Sequence, residues 1–246
     1  MLTVYKILVY EGKLQLAIKN NFSRFCSTYE KYAFIQKESA NLLGKNALYG
    51  IGVDLGCGTG FLSKALKRDF NHIIGIDLSR EMISYYKSKG FEGINADIEN
   101  LPFKNNSFDF AVSNFSLHWT DINISFKEIN RILKKSAIFL FAVPVEGSLK
   151  ELHEKTYKTF YFPSEQEILN ILSNNGFVVY DKYSKKFPLY FRNGRQILEY
   201  FKYTGTAFNR RAKTLGDKIN AYKKIISLRD ITTGFDVLFI KAIKVS

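Results

Sequence analysis

The stretch that decides the fold is Gly-Val-Asp-Leu-Gly-Cys-Gly-Thr-Gly-Phe, which occupies residues 52–61. Apolar residues from Leu48 to Leu55 predict a buried strand before the glycines, and the spacing of apolar residues from Phe61 to Phe70 predicts a helix after them. Glycines let a ligand approach the backbone of the turn, which presents free N–H groups at the start of the helix. A strand, a glycine turn and a helix in this order predict a nucleotide-binding pocket.

The spacing of the glycines argues against a nicotinamide dinucleotide as the ligand. Gly56, Gly58 and Gly60 form the pattern G-x-G-x-G. The dinucleotide fingerprint has its third glycine one residue later, where this chain has Phe61. We therefore expect a nucleotide ligand other than NAD.

Two acids follow at the ends of further predicted strands. His72 to Asp77 is a short apolar run that ends in an acid, and an acid at this point can accept hydrogen bonds from both hydroxyls of a ribose. A third predicted strand, near Gly93 to Asn95, is followed by Asp97, which we expect over the same pocket. The three pieces together have the spacing of a doubly wound α/β domain.

These three pieces resemble the class I S-adenosylmethionine-dependent methyltransferases. The resemblance implies a Rossmann-like α/β domain with a mainly parallel seven-stranded sheet, one antiparallel strand and a helical lid. It also implies that the cofactor is S-adenosyl-L-methionine, with the glycines at its methionine part, Asp77 at its ribose, and Asp97 with Ile98 at its adenine. The cofactor-binding residues that it implies are Asp54, Gly56, Gly58, Gly60, Asp77, Leu78, Asp97, Ile98 and Asn114.

The length and composition fit one domain with a lid. With 246 residues, of which 46% are hydrophobic, the chain can bury one sizeable core, and no second domain is required. We predict lid helices at residues 14–43, a cofactor-binding core at 44–144 and a helical insertion at 188–234. The insertion separates two predicted final strands, Phe177 to Phe187 and Phe235 to Ile243. Predicted helix N-caps are Ser79, Asp121 and Ser164.

The cysteines and the start of the chain point to the cytoplasm. Cys26 and Cys57 are too few for a disulfide framework, so a reducing compartment fits best. The apolar run from Met1 to Gly12 is broken by polar residues, is too short to span a membrane and lacks a small-residue cleavage site. We therefore expect a cytoplasmic protein that does not associate with a membrane.

The net charge leaves two interpretations open. The chain carries a formal net charge of +13 with an isoelectric point near 9.5. Lysines spread along the whole chain are typical of a genome-wide bias toward A+T-rich codons, whereas a basic cluster in residues 210–224 could dock an acidic partner. The residues of this cluster are Arg210, Arg211, Lys213, Lys218, Lys223 and Lys224.

The residues after the fourth predicted strand, Phe108 to Asn114, lie where a methyl acceptor would sit. In a parallel sheet the carboxyl ends of the strands open onto the ligand crevice. Enzymes that methylate an exocyclic base nitrogen usually carry Asn-Pro-Pro-aromatic here, whereas residues 114–117 are Asn-Phe-Ser-Leu. A nucleic-acid substrate is therefore disfavoured. No spacing of His, Cys and Asp suggests a metal site.

Four residues are candidates for the chemistry: Tyr29, Asn114, His118 and Ser148. Tyr29 could touch the substrate from the lid, or it could lie half-buried in a helix interface with its hydroxyl in water. His118 could act as a general base, or it could donate one hydrogen bond that orients a loop. Ser148 has capping-box spacing with Glu151, so it could simply begin a helix.

The run Gly-Ser-Leu-Lys-Glu-Leu at 147–152 is similar to a sequence of one subfamily, the malonyl-[acyl-carrier protein] O-methyltransferases of biotin synthesis. Other matching stretches are Asn21 to Arg24 with Tyr29, Ala96 to Pro102, and Leu198 to Thr206. That resemblance implies methyl transfer to the free carboxylate of a malonyl thioester on acyl carrier protein or coenzyme A, which starts pimeloyl synthesis. Such a carboxylate is already ionised, so no general base or metal is needed. The alternative is methyl transfer to another small molecule or a quinone.

Overall fold

The computed structural model of the chain describes residues 28–66, 72–156, 161–204 and 215–245. Its strands are β1 (Ile51–Leu55), β2 (His72–Asp77), β3 (Glu92–Asn95), β4 (Phe108–Asn114), β5 (Leu133–Pro144), β6 (Phe177–Asn193) and β7 (Arg229–Lys244). They form one seven-stranded sheet in the order β3-β2-β1-β4-β5-β7-β6. β7 runs antiparallel to β5 and β6, and the other neighbours pair in parallel. The predicted fold, a mainly parallel sheet with one antiparallel strand, is confirmed.

Helices flank this sheet, and three of them begin at predicted N-caps. The helices are α1 (Phe34–Leu43), α2 (Phe61–Ala65), α3 (Arg80–Ser88), α4 (Ile122–Ile132), α5 (Lys150–Lys155), α6 (Glu165–Asn174), α7 (Gly194–Tyr203) and α8 (Leu215–Ser227). The side chains of Ser79, Asp121 and Ser164 accept hydrogen bonds from first-turn N–H groups of α3, α4 and α6. Within the described ranges, no helix is long and apolar enough to cross a bilayer.

The helical insertion is shorter than predicted. β6 and β7 stay paired as far as Asn193 and Arg229, so both ends of the predicted 188–234 segment belong to the sheet. Leu189 and Phe191 are buried and alternate with exposed residues, which is the pattern of a strand with one covered face. Among the described residues of the insertion, the helical part consists of α7 and α8.

Apolar side chains cover both faces of the sheet. Along β7, Val237 and Phe239 belong to one buried cluster with residues of α1, α2, α7 and α8. Leu238 and Ile240 belong to a second cluster with residues of α4 and α6. This alternation is expected for a strand that is covered on both faces. Ligands of such a sheet bind at the carboxyl ends of its strands.

The lid rests on α7. Tyr32, in a helical turn at 28–32, stacks on Tyr203 with ring centroids 4.6 Å apart, and Phe34 packs against Tyr200 at 5.9 Å. The part of the predicted lid that the structure describes is therefore helical and joined to the insertion. Residues 14–27 of that lid lie outside the described ranges.

Candidate active site

A cleft opens at the carboxyl ends of β1, β2 and β4. Its volume is about 790 Å³, including space open to solvent, and a smaller cleft of about 310 Å³ adjoins it. The larger cleft is lined by Tyr29, Gly56, Gly58, Asp77, Leu78, Ser79, Met82, Ala96, Asp97, Ile98, Asn114, Phe115, Ser116, Trp119 and Thr120. Asp54 lines the smaller one. The structure thus brings every predicted cofactor-binding residue except Gly60 to one of the two clefts.

The three glycines of the turn have different surroundings, and all have positive φ. A Cβ on Gly56 would lie 1.8 Å from Ser116 Oγ, because the loop after β4 packs directly against the turn. A Cβ on Gly58 would meet no atom within 4 Å, so its backbone stays open to the cleft. A Cβ on Gly60 would lie 3.1 Å from the ring of Tyr86. Gly56 and Gly60 therefore serve packing, and Gly58 serves access to the backbone.

Asp77 ends β2 and is held by the backbone on both sides. Its Oδ2 accepts a hydrogen bond from the N–H of Gly58 at 3.0 Å, and its Oδ1 accepts one from the N–H of Ser79 at 2.8 Å. Burial raises the pKa of Asp77 to about 6, even though both hydrogen bonds favour the charged form. The carboxylate is therefore fixed in position and partly stripped of water.

Asp54 lies on β1 beside the smaller cleft and is almost fully buried. Its Oδ2 accepts a hydrogen bond from Ser63 Oγ at 2.6 Å. Burial raises the pKa of Asp54 to about 7, and the nearby charge of Asp77 acts in the same direction. Among the ion pairs that the structure describes, none includes Asp54 or Asp77. Two desolvated acids without a cationic partner suit a cationic ligand.

Asp97 and Ile98 follow β3 on another wall of the larger cleft. Asp97 Oδ1 accepts a hydrogen bond from the N–H of Glu99 at 3.0 Å, which closes a tight turn. Ile98, Leu78 and Met82 add apolar surface to the same lining. Apolar walls with a few fixed polar groups are typical of sites for flat ring systems.

Tyr29 reaches both clefts from the helical turn at 28–32. Its ring stacks on Phe61 with centroids 6.2 Å apart. Burial raises the pKa of the Tyr29 hydroxyl, and the nearby charge of Asp77 adds to this effect. The structure therefore places Tyr29 where a lid residue could touch a ligand, with its hydroxyl neutral.

Asn114 ends β4 and lines both clefts, but its amide is engaged by the lid. Ser39 Oγ donates to Asn114 Oδ1 at 2.7 Å, and Asn114 Nδ2 donates to the carbonyl of Gln36 at 2.8 Å. An ion pair between Glu30 and Lys89 ties the preceding turn to the end of α3. The structure gives Asn114 a role in positioning α1, and its catalytic role stays a prediction.

His118 and Ser148 are not among the residues that line either cleft. The His118 ring packs against Trp119 and Phe162, with centroids 4.5 and 6.1 Å apart. Ser148 Oγ donates to the carbonyl of Asp236 and accepts from its N–H, both at 3.1 Å. Ser148 therefore ties β7 to the loop before α5. The expectation that it caps a helix is wrong, since the N-cap of α5 is the next residue.

Three polar residues near the clefts, Gln36, Ser63 and Tyr86, did not emerge from the sequence as site residues. Gln36 lines the smaller cleft from the first turn of α1, a helical segment separate from the turn at 28–32 that carries Tyr29. The hydroxyls of Ser63 and Tyr86 lie 2.6 Å apart and are buried. No spacing rule joins these two, because they meet only in the folded chain.

The sheet order, the glycine turn and the acids after it, Asp77 and Asp97, define a Rossmann-like methyltransferase fold of class I. Residues 53–141 match a protein family described as a methyltransferase domain. A malonyl-[acyl-carrier protein] O-methyltransferase of Hamiltonella defensa is 32% identical over 165 residues, which cover 63% of this chain and 62% of that protein. The biotin biosynthesis bifunctional protein BioHC of Saccharophagus degradans is 33% identical over 155 residues, which cover 59% of this chain and 28% of that protein.

A solved structure agrees with this fold. A SAM-dependent methyltransferase from Thermotoga maritima has a TM-score of 0.59 and 22% identity, covering 92% of this chain and 99% of that chain. By its fold and by the match over residues 53–141, the chain is similar to the class I S-adenosylmethionine-dependent methyltransferases, a class whose cofactor is S-adenosyl-L-methionine. The chain spans less than two thirds of the length of both curated relatives.

Proposed function

We propose that this protein binds S-adenosyl-L-methionine in the two clefts and transfers its methyl group to a carboxylate. One observation carries the cofactor part: Asp54 and Asp77 are desolvated at the clefts and have no cationic partner among the described residues. S-adenosylmethionine carries positive charges on its sulfonium and its ammonium. A bound cation favours the ionised form of both acids, so cofactor and clefts match in charge.

In this proposal each wall of the clefts has its own task. Asp77 and Asp97 hold the nucleoside by their carboxylates, and Ile98 borders its ring. Gly58 leaves backbone accessible, as its open surroundings allow. The bound cofactor supplies an electrophilic methyl group. Tyr29 covers the clefts from the lid side and excludes water from them.

The acceptor that we propose is the free carboxylate of a malonyl thioester on acyl carrier protein or coenzyme A. The name of the Hamiltonella relative supports it. A carboxylate with a pKa near 4 is already ionised at neutral pH, so its methylation needs no general base. Alignment of the reacting atoms then contributes about 7–11 kcal/mol to the lowering of the barrier.

An acidic carrier protein would be attracted by the basic cluster. Lys223 and Lys224 are exposed on α8, whereas Arg210, Arg211 and Lys213 lie outside the described residues, and the Lys218 side chain is not described. We propose that this cluster steers the carrier toward the clefts and that the reaction is cytoplasmic. Reversing Lys223 and Lys224 to Glu should then raise the KM for malonyl carrier protein more than the KM for malonyl coenzyme A.

A second acceptor class is favoured by one feature of the lining. Phe115 and Trp119 give the larger cleft aromatic surface on which a flat ring could stack. A quinone or another aromatic small molecule is therefore the alternative acceptor.

The deciding experiment offers the purified protein methyl-labelled cofactor with four acceptors in parallel. These are malonyl carrier protein, malonyl coenzyme A, succinyl coenzyme A as the matched control with one more methylene, and a quinone. We expect base-labile label on the malonyl thioesters and full activity in EDTA, since methylation of an ionised oxygen needs no Lewis acid. Label on the quinone alone would contradict the proposed malonyl acceptor but would agree with the proposed cofactor. Calorimetry that shows binding of NAD but not of S-adenosylmethionine would reject both.

A further inference from the structure

Tyr86 on α3 is fully buried beneath the glycine turn, where three glycines make room for its ring. A Cβ on Gly60, Gly75 or Gly93 would lie 3.1, 2.5 or 3.1 Å from a ring atom of Tyr86. The ring also stacks on Phe91 with centroids 4.8 Å apart. Because backbone from the turn, β2 and β3 surrounds the ring, the hydroxyl of Tyr86 is held in one place.

That hydroxyl ends a chain of hydrogen bonds that leads to Asp54. Ser63 Oγ donates to Asp54 Oδ2 at 2.6 Å, and the same Oγ lies 2.6 Å from the Tyr86 hydroxyl. An ionised carboxylate can only accept, and a serine hydroxyl has one proton to give. Tyr86 must therefore be the donor to Ser63. Burial raises the pKa of Tyr86, which keeps its proton in place.

Hydrogen bonds from the side chain and the backbone of Ser63 favour the charged form of Asp54, and no described cation does so. The titratable groups near it are Asp77 on β2, the Cys57 thiol in the turn, Tyr86 on α3 and Tyr29 on the lid. Each of these is neutral or negative, so none favours the charged form of Asp54 by attraction. In the protein without a ligand, hydrogen bonding through Ser63 opposes the effect of burial on Asp54.

We propose that Tyr86 is a positioning residue: through Ser63 it favours the ionised form of Asp54 at the smaller cleft, where the cofactor brings its positive charge. A hydroxyl that accepts a hydrogen bond becomes a better donor, so Tyr86 strengthens the bond from Ser63 to Asp54. A stronger bond to the carboxylate favours its charged form. The consequence for the cofactor rests on the proposed function, whereas the action of Tyr86 on Asp54 does not.

Tyr86→Phe tests this proposal, because it removes the hydroxyl and keeps the ring among the glycines. Tyr85→Phe on the same helix is the matched control, since the Tyr85 ring packs against Lys89 Nζ, 4.7 Å from the ring centroid. We expect the pKa of Asp54, followed by the NMR signal of its carboxyl carbon in cofactor-free protein, to rise by about half a unit or more in Tyr86→Phe. It should not change in Tyr85→Phe. An unchanged Asp54 pKa in Tyr86→Phe would overturn the proposal.

Calorimetry with S-adenosylmethionine is the second readout. The affinity of the unaltered protein should fall as the pH drops through the Asp54 pKa of about 7. In Tyr86→Phe this fall should begin at higher pH, so that binding near pH 6 is about two- to three-fold weaker while binding near pH 9 is unchanged. An equal loss of affinity at every pH would indicate a purely structural effect and would overturn the proposal.

Failure of this proposal and failure of the proposed function can be told apart. If the unaltered protein does not bind S-adenosylmethionine, the NMR titration still decides whether Tyr86 acts on Asp54. If Tyr86→Phe does not fold, Ser63→Ala removes the side-chain hydrogen bond that reaches Asp54 itself and leaves the backbone hydrogen bond from Ser63 in place. That variant should raise the Asp54 pKa at least as much as expected for Tyr86→Phe, and an unchanged pKa would again overturn the proposal.

Discussion

The two edges of the sheet handle charge in different ways. At the carboxyl edge, Asp54 and Asp77 accept hydrogen bonds from the chain, but no described ion pair includes them. At the amino edge, Arg131 makes two hydrogen bonds with Glu128, at 2.8 and 2.7 Å, and also donates to backbone carbonyls. Lys244 is surrounded by acceptors at the same edge.

At the amino edge, the ammonium group of Lys244 has three hydrogen-bond acceptors. Its Nζ donates to Asn106 Oδ1 at 3.2 Å and to the carbonyls of Asn130 and Leu133, both at 2.8 Å. Burial lowers the pKa of Lys244, and these three acceptors compensate for lost water. The cation joins the end of α4 to the last strand.

This difference shows which edge of the sheet carries charge that the chain itself does not balance. Arg131 is paired with Glu128 and Lys244 Nζ has three acceptors, whereas burial raises the pKa of Asp54 and Asp77 to about 7 and about 6, so that their ionised forms lower the stability of the free protein. Departures from self-consistent packing are expected at functional sites. The amino edge is therefore built for stability, and the carboxyl edge is built for a ligand.

The largest effect should come from Gly56→Ala, which would force the turn away from the loop after β4. The new Cβ would lie 1.8 Å from Ser116 Oγ at a φ of 71°, so the free energy of unfolding should fall by about 2–5 kcal/mol. In the control, Gly58→Ala, the φ of 50° costs about 1–2 kcal/mol and no atom lies within 4 Å. Urea unfolding measures both, and equal losses would contradict the tight packing of Ser116.

Gly58→Ala also tests cofactor binding at the carboxyl edge. The Cβ of Gly58→Ala would enter the clefts, so the affinity for S-adenosylmethionine should fall by about ten-fold or more, although the protein stays folded. Unchanged affinity would place the cofactor away from the glycine turn.

At the amino edge, Lys244→Met should cost stability and leave binding alone. The change strands one side-chain acceptor and two carbonyls, so the free energy of unfolding should fall by about 2–4 kcal/mol. The affinity for S-adenosylmethionine should not change, since Lys244 lies at the other end of the strands. A stable Lys244→Met protein, or one with weakened binding, would break the division between the edges.

The smallest expected effect is an increase in stability. The pKa of Asp54 is raised from about 4 to about 7, so ionised Asp54 destabilises the free protein increasingly as pH rises through that range. Asp54→Asn keeps an acceptor for Ser63 and should raise the free energy of unfolding by about 1–3 kcal/mol near pH 8, with no gain near pH 4. Urea unfolding at both pH values checks this. A gain in stability at both pH values, or at neither, would contradict the idea that ionised Asp54 destabilises the free protein.

The sequence predicts the floor of the clefts well, because its residues belong to short segments with fixed spacing. The glycine turn follows β1, Asp77 ends β2 and Asp97 follows β3, and parallel strands bring these ends together. The contact of Asn114 with Ser39 joins residues far apart in the chain, so no local pattern announces it.

The predicted roles of His118 and Ser148 also rest on local sequence alone. Their catalytic roles stay predictions, whereas their contacts with Phe162 and Asp236, which lie far from them along the chain, could not be predicted from their neighbours in sequence. Tertiary packing outweighs a local motif when the motif is only a few residues long.

Trp119 is the only tryptophan in the chain, and it lines the larger cleft. All indole fluorescence of this protein therefore originates beside the proposed ligand, without background from other tryptophans. A shift or quench of that emission during a titration reports on the cleft itself, in solution and without a label. The affinities and pH profiles discussed above can be followed with the unaltered protein as its own optical probe.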